Sequence, residues 1–190
     1  MTQRKKTDMD LSAEREVDRA AEGLRERIQQ LFGRSLHVRH VDAGSCNACE
    51  SEIKLLTNPY YDVQRLGIFF TPSPRHADLL LVTGPITRAM EEPLRATYEA
   101  MPEPRLVVAV GACACTGGIF CASPLVRRGL AEVLPVDVYI PGCPPSPLAL
   151  IHGLMLALGR TVPKSAHKIR GPRTAKRELL AVPGSGEVGS

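Results

Sequence analysis

At 190 residues and 44% hydrophobic side chains, the chain is long enough for one substantial core with tails left over. Its apolar residues come in short runs bounded by Gly and Pro, such as Leu79-Leu80-Leu81-Val82 and Leu106-Val107-Val108-Ala109-Val110, so no segment is expected to span a bilayer. The net charge of +4, gathered largely at the two ends, is too small to argue for nucleic acid, and the charged start Met1-Thr2-Gln3-Arg4-Lys5-Lys6 resembles neither a secretory nor a twin-arginine signal, which predicts a cytoplasmic protein.

In chain order, residues 1–35 read as an N-terminal extension. Val17, Ala21, Leu24, Ile28 and Leu31 fall at helical spacing between Leu11 and Phe32, with Ser12 as a cap and Gly33 as a stop. This amphipathic helix is either laid on the domain or solvated on one face, or docks on a partner subunit or a membrane surface. From Leu36 strands and helices alternate: strand Leu36 to Val41, helix Cys49 to Leu56 stopped by Asn58-Pro59, strand Val63 to Phe70, buried strand Asp78 to Val82, and helix Met90 to Met101 ended by Pro102. Strand Leu106 to Val110, helix Leu125 to Val133, strand Val136 to Ile140 and helix Pro147 to Leu158 complete the series. Such alternation calls for an α/β fold with a doubly wound parallel sheet over residues 36–160. Residues 161–190 are rich in Lys, Arg, Pro, Gly and Ser without a sustained period, and read as a basic, mobile tail.

Cysteines sit where these strands end. Gly44-Ser45-Cys46-Asn47-Ala48-Cys49-Glu50, Gly111-Ala112-Cys113 and Pro141-Gly142-Cys143-Pro144-Pro145 each follow an expected strand, and the carboxyl ends of parallel strands share one edge of the sheet. In a reducing compartment the six cysteines are metal ligands or free thiols rather than a disulfide framework. Four thiolates from Cys46, Cys49, Cys113 and Cys143 suit a 4Fe-4S centre. Zinc is a rival, although structural zinc usually gathers two close pairs and only one CxxC is present. A thioredoxin-like dithiol would leave Cys113 and Cys143 without a role, and inert buried cysteines are a further reading. Cys115 and Cys121 are surplus to one cluster and are read as non-ligands, while Gly117-Gly118, with no Walker lysine after it, suits close backbone approach to an inorganic core better than phosphate binding.

With these motifs the sequence resembles the 20 kDa subunit of NADH:quinone oxidoreductase, and more closely the small subunit of group 4 membrane-bound nickel-iron hydrogenases of the hydrogenase-4 and formate hydrogenlyase type. The likeness runs over most of Leu36 to Arg160 and includes Ser73-Pro74-Arg75-His76-Ala77-Asp78, Thr83-Gly84-Pro85-Ile86-Thr87, Gly117-Gly118-Ile119-Phe120 and Val136-Asp137-Val138-Tyr139-Ile140 before the last cysteine. It implies a flavodoxin-like domain holding one 4Fe-4S cluster through Cys46, Cys49, Cys113 and Cys143 at the C-terminal edge of the strands. Electrons would pass between other iron-sulfur subunits and a large catalytic subunit, with membrane subunits beyond, and this chain would be a cytoplasmic protein peripheral on the inner face of the cell membrane as part of that complex. The 20 kDa subunits of complex I place the first two cluster cysteines side by side, whereas Cys46 and Cys49 are separated by two residues, as in the hydrogenase branch. Nickel, if any, belongs to the partner.

Supporting residues carry two readings each. Glu50, directly after Cys49, is either a proton acceptor beside the cluster or a first-turn carboxylate favoured by the helix dipole. Ile68-Phe69-Phe70-Thr71-Pro72-Ser73-Pro74-Arg75-His76 faces either a quinone cavity or membrane subunit, or simply fills the core and its loop. His76 is weighed as a metal ligand and set aside, and Arg88 either meets a partner carboxylate or stays solvated. The function expected is therefore an electron-transfer subunit of an oxidoreductase, against the alternative of a zinc-stabilised, non-redox interaction module.

Overall fold

Hydrophobic runs that bury both faces dictate the centre of the molecule. A computed structural model describes residues 25–26, 28–30 and 33–160, and these place β1 (Leu36–Asp42), β2 (Ile68–Phe70), β3 (Leu79–Thr83), β4 (Leu106–Val110) and β5 (Val138–Ile140) in one all-parallel sheet of order β2-β1-β3-β4-β5. The register sets Leu81 opposite His40 on one side and Val108 on the other. Every residue of β3 and β4 is buried. Successive side chains alternate: Leu79, Leu81, Val108 and Val110 enter one core layer, and Leu80, Val82, Val107 and Ala109 enter the other.

Helices cover both faces. α1 (Ala48–Leu55) and α4 (Pro147–Arg160) close the first layer with Ile53, Leu150, Leu154 and Leu158, while α2 (Arg88–Glu99) closes the second with Leu94. Each such buried Leu or Ile contributes roughly 1.5–3 kcal/mol relative to exposure. α4 approaches β5 closely at Gly153, where an added Cβ would lie 2.2 Å from Ile140 Cδ1. At the start of β1, buried Asp78 accepts from Arg34 Nη2 at 2.9 Å and from the backbone N–H of His37 at 3.1 Å, so one carboxylate ties the chain before the domain to the start of β3.

The expected elements differ from the observed ones in four places. Residues 63–67 are turns rather than strand: Val63 N–H donates to Leu56 O and Ile68 N–H to Val63 O, so Val63 and Leu66 bury at a spacing of three, not two. The helix expected from Leu125 to Val133 is only a 3₁₀ turn at Leu130–Glu132. Its first half is held extended against the loop after β3, with Arg127 N–H donating to Ile86 O, Arg88 N–H to Leu125 O, and a bridge between Thr87 and Val126. A short helix, α3 (Gly111–Thr116), carries Cys113 where a loop was expected. The second helix begins at Arg88, a half-turn before Met90, because Thr87 is extended and ends the preceding loop. Of the N-terminal helix, Arg25, Glu26 and Ile28 to Gln30 are helical, Ile28 is buried, and Gly33 N–H closes on Gln29 O at 2.8 Å as the glycine stop requires. Ser12, Val17, Ala21, Leu24, Leu31 and the expected tail at 161–190 lie outside the described residues.

Candidate metal centre

An order of β2-β1-β3-β4-β5 reverses direction between β1 and β3, and ligand sites of such sheets lie beyond the carboxyl ends of the strands at that point. All the singled-out cysteine loops leave this edge. β1 ends at Asp42, whose Oδ1 accepts from the N–H groups of Gly44 at 2.8 Å and Ser45 at 2.6 Å, and this turn aims the chain into Cys46 and α1. Although burial opposes it, those backbone donors hold the Asp42 carboxyl below the usual carboxylate range. β4 runs directly into α3 with Cys113, and β5 into Gly142-Cys143. The last two loops are joined by Ala112 N–H donating to Gly142 O at 2.7 Å.

Cys49 and Cys113 each feel the charge of other cysteines at this edge. Burial, then Glu50, then Cys113, Cys46 and Cys143 push the Cys49 thiol up to about 11. Burial, then Cys143 and Cys46, raise Cys113. Gly111 makes room at the centre: a Cβ there would stand 2.7 Å from Cys49 Sγ and 3.5 Å from Gly142 O. Gly118 does the same for Cys113, with a Cβ only 3.1 Å from its Sγ. Cys115 is set apart, since its Sγ contacts Ala109 O at 3.7 Å and Ile140 O at 3.8 Å on the strand ends, and burial raises its pKa. Cys121 is exposed beside the 3₁₀ turn Gly118–Phe120. Among the described residues no three His, Cys, Asp or Glu side chains gather within reach of a single metal ion.

The family model for the NADH ubiquinone oxidoreductase 20 kDa subunit matches residues 46–157, a stretch that begins at Cys46 and takes in the other three thiols. The chain belongs to this family. It is 49% identical over 138 residues to the probable membrane-bound hydrogenase subunit mbhJ of Pyrococcus furiosus, covering 71% of this chain and 83% of that one. Formate hydrogenlyase subunit 7 of Escherichia coli is 44% identical over 143 residues, 75% of this chain and 56% of its own length. An NADH-quinone oxidoreductase subunit of Geobacter sp. is 50% identical over 107 residues, 56% of this chain and 62% of its own. Among solved structures, a chain of an archaeal membrane-bound sulfane sulfur reductase superposes with a TM-score of 0.59 at 34% identity, covering 74% of this chain and 79% of that one. A chain of the Dm. baculatum [NiFeSe]-hydrogenase superposes with a TM-score of 0.54 at 19% identity over 74% of this chain and 68% of its own, a likeness of fold alone. The relatives are subunits of oxidoreductases, and the family's α/β fold is the one expected from the sequence.

In this family member the other singled-out residues fall into two groups. Glu50 is buried in the first turn of α1, accepts from Thr83 Oγ1, and leaves Oε2 buried without a hydrogen-bond partner. His40 Nε2 lies 2.9 Å from Thr83 Oγ1 and 3.6 Å from Glu50 Oε1, and burial lowers its pKa despite Glu50 beside it. Sequence reasoning found Glu50 but missed Thr83 and His40; the signal available was a polar residue ending the apolar run Leu79-Leu80-Leu81-Val82. Phe69 is exposed and stacks on His37, whereas Phe70 is half-buried against the core. His76, ending a 3₁₀ turn, and Arg88, opening α2, are both exposed.

Proposed function

We propose that Cys46, Cys49, Cys113 and Cys143 hold one 4Fe-4S cluster and that the chain is an electron-transfer subunit of a membrane-associated hydrogenase or complex I-like oxidoreductase. The observation that carries this is that the loops bearing Cys46, Cys49, Cys113 and Cys143 all leave the same edge of the parallel sheet, with Gly111 and Gly118 giving backbone room to the sulfurs of Cys49 and Cys113. Burial and neighbouring thiols raise Cys49 and Cys113, and coordination to a metal centre deprotonates such thiols outright. A cubane binds each thiolate to a different iron, so its ligands need not close on one point. One CxxC pair joined by single cysteines from two other strand ends suits that demand better than the paired knuckles of structural zinc. Cys115, turned to the carbonyls of Ala109 and Ile140, and exposed Cys121 are left out of the ligand set.

When bound, the cluster supplies one-electron transfer at a potential set by burial, hydrogen bonds and nearby charge. The chain's own residues set those terms. Gly111 and Gly118 let backbone come against the sulfurs of Cys49 and Cys113, and the Asp42 turn orients the Cys46 loop. Glu50 Oε2, buried and unpaired, is where a proton would be held as charge arrives, with Thr83 Oγ1 fixing the other oxygen. The partners are a large catalytic subunit, further iron-sulfur subunits and membrane subunits, since relatives are named as subunits of a membrane-bound hydrogenase, a formate hydrogenlyase and an NADH-quinone oxidoreductase. No helix among the described residues is long and apolar enough to cross a membrane; the peripheral place on the cytoplasmic face is proposed from the relatives named as subunits of membrane-bound complexes. A quinone at the interface enters only through the likeness to the NADH-quinone oxidoreductase relatives, and no residue of this chain is assigned to it.

Anaerobically purified protein should contain about four iron and four sulfide per chain. Cys46→Ala, Cys49→Ala, Cys113→Ala and Cys143→Ala should each abolish or convert the spectrum, while Cys115→Ala and Cys121→Ala leave it nearly intact. Stoichiometric zinc without sulfide would instead establish the interaction module, and retention in Cys113→Ala with loss in Cys115→Ala would reverse the ligand assignment.

A further inference from the structure

On the α1 side of the sheet lies a groove of about 410 Å³ between the end of α1 and the carboxyl-terminal parts of β1 and β2. Its walls are Ile53, Phe70 and Pro72, and its charged lining residues are Arg39 from β1 and Lys54 from the last turn of α1. Among the described residues no carboxylate lines it. Arg39 Nε is buried without a hydrogen-bond partner, an arrangement that leaves a guanidinium donor desolvated and uncompensated. Arg39 as a whole is only half-buried, and it lines the groove with Lys54 and no opposing carboxylate, a lining that favours an anion. His40, which also borders the groove, directs Nε2 to Thr83 and Glu50 instead.

We propose that this groove receives an acidic segment of a partner subunit, with a carboxylate between Arg39 and Lys54 and an apolar neighbour against Ile53, Phe70 and Pro72. The proposal rests on the chain working within a multi-subunit complex. Charge complementarity selects the occupant: two permanent cations in an apolar groove of this size match a chain segment with an acid and a hydrophobic residue, whereas a neutral ring compound would leave both cations unpaired.

Lys54 supplies a direct test. A water-soluble carbodiimide activates a carboxyl group, and an amine in contact attacks it, forming an isopeptide bond as the urea leaves. In the intact complex, purified through a tag on this chain, Lys54 Nζ should join to an Asp or Glu of another subunit. The cross-link should vanish in Lys54→Arg while the complex still assembles. Arg39→Glu with Lys54→Glu should weaken association by about tenfold or more in low salt, an effect that shrinks as salt screens the pair, and Arg39→Lys should retain most of the binding. Lys54 joined only to carboxylates of this chain, or acetylated equally fast in complex and isolated chain, would overturn the proposal. So would protection of Lys54 by an added short-chain quinone rather than by protein. Iron and sulfide measured in the same preparation keep the two readings apart: an iron-loaded complex without the cross-link sinks the groove assignment alone.

Discussion

Gly111→Ala offers the sharpest test of the site, because two separable penalties meet at one atom. The first is backbone strain, since Gly111 has φ +85 and a side chain there costs about 1–2 kcal/mol. The second is contact: the new Cβ would stand 2.7 Å from Cys49 Sγ, against an ordinary separation of roughly 3.5–4.0 Å, so the sulfur must retreat by about 1 Å. A free thiol can make that move by turning about χ1. A sulfur bound to iron cannot. Gly67→Ala isolates the strain, for Gly67 has φ +82 and nothing within 4 Å of its would-be Cβ. Both variants should therefore lose a similar amount of thermal stability in the metal-free state, about 2–8 °C in Tm. Only Gly111→Ala should also lose most of its iron, sulfide and visible absorbance. Equal iron content in the two variants would refute the placement of Cys49 Sγ as a ligand.

Three further outcomes follow from particular contacts. Gly153→Ala gains about 1 kcal/mol of helix propensity but drives a Cβ to 2.2 Å from Ile140 Cδ1, so urea unfolding should show a net loss of about 1–3 kcal/mol that Ile140→Val partly recovers; an unchanged midpoint would exclude this packing of α4 on β5. Asp78→Ala strips the acceptor from His37 N–H and should destabilise by about 1–3 kcal/mol, whereas Arg34→Ala, removing the partly exposed partner, should cost less; equal losses in urea unfolding would contradict this. In the metal-free chain the Cys49 thiol, pushed up to about 11 chiefly by burial, is protonated at neutral pH; its alkylation should quicken about tenfold per pH unit between roughly pH 8 and 10, and a flat profile followed by mass spectrometry would contradict that environment.

The sheet was legible because its central strands obey a simple rule. Leu79-Leu80-Leu81-Val82 and Leu106-Val107-Val108-Ala109-Val110 are apolar without alternation, which only a strand buried on both faces tolerates, and both are fully buried. The family likeness supplied the flavodoxin-like order; alternation alone would have allowed others. Where the structure departs from the pattern, particular hydrogen bonds override side-chain preference. Val63 and Leu66 are strand-like residues held in turns by short-range bonds, Val63 N–H to Leu56 O and Leu66 N–H to Val63 O, that close the α1–β2 connection. Leu125 to Arg127 have a helical composition, yet their backbone groups serve Ile86 and Arg88, and Leu125 is left 69% exposed. Neither partner is near in sequence, so no local window contains the deciding bond.

The candidate site divides in the same way. Which cysteines share an edge followed from strand ends, because a parallel sheet brings every carboxyl terminus to one side. Choosing Cys113 over Cys115 did not follow from spacing, since two residues in a loop leave either thiol free to turn inward. The proposed choice draws its support from α3: within a helix, positions two apart point about 200° from one another, and Cys113 is the one of the pair whose charge is felt by Cys49. Cys115 is then driven against Ala109 O and Ile140 O. The environment of Glu50 was hidden for a related reason. Its acidic position after Cys49 is plain in the sequence, but its buried, half-paired carboxylate depends on β1 and β3 lying side by side, which places His40 and Thr83 over the first turn of α1. Charge at this edge is thus set by residues that come together only when the sheet has formed, and any tuning of a bound cluster through Glu50 is a property of that register.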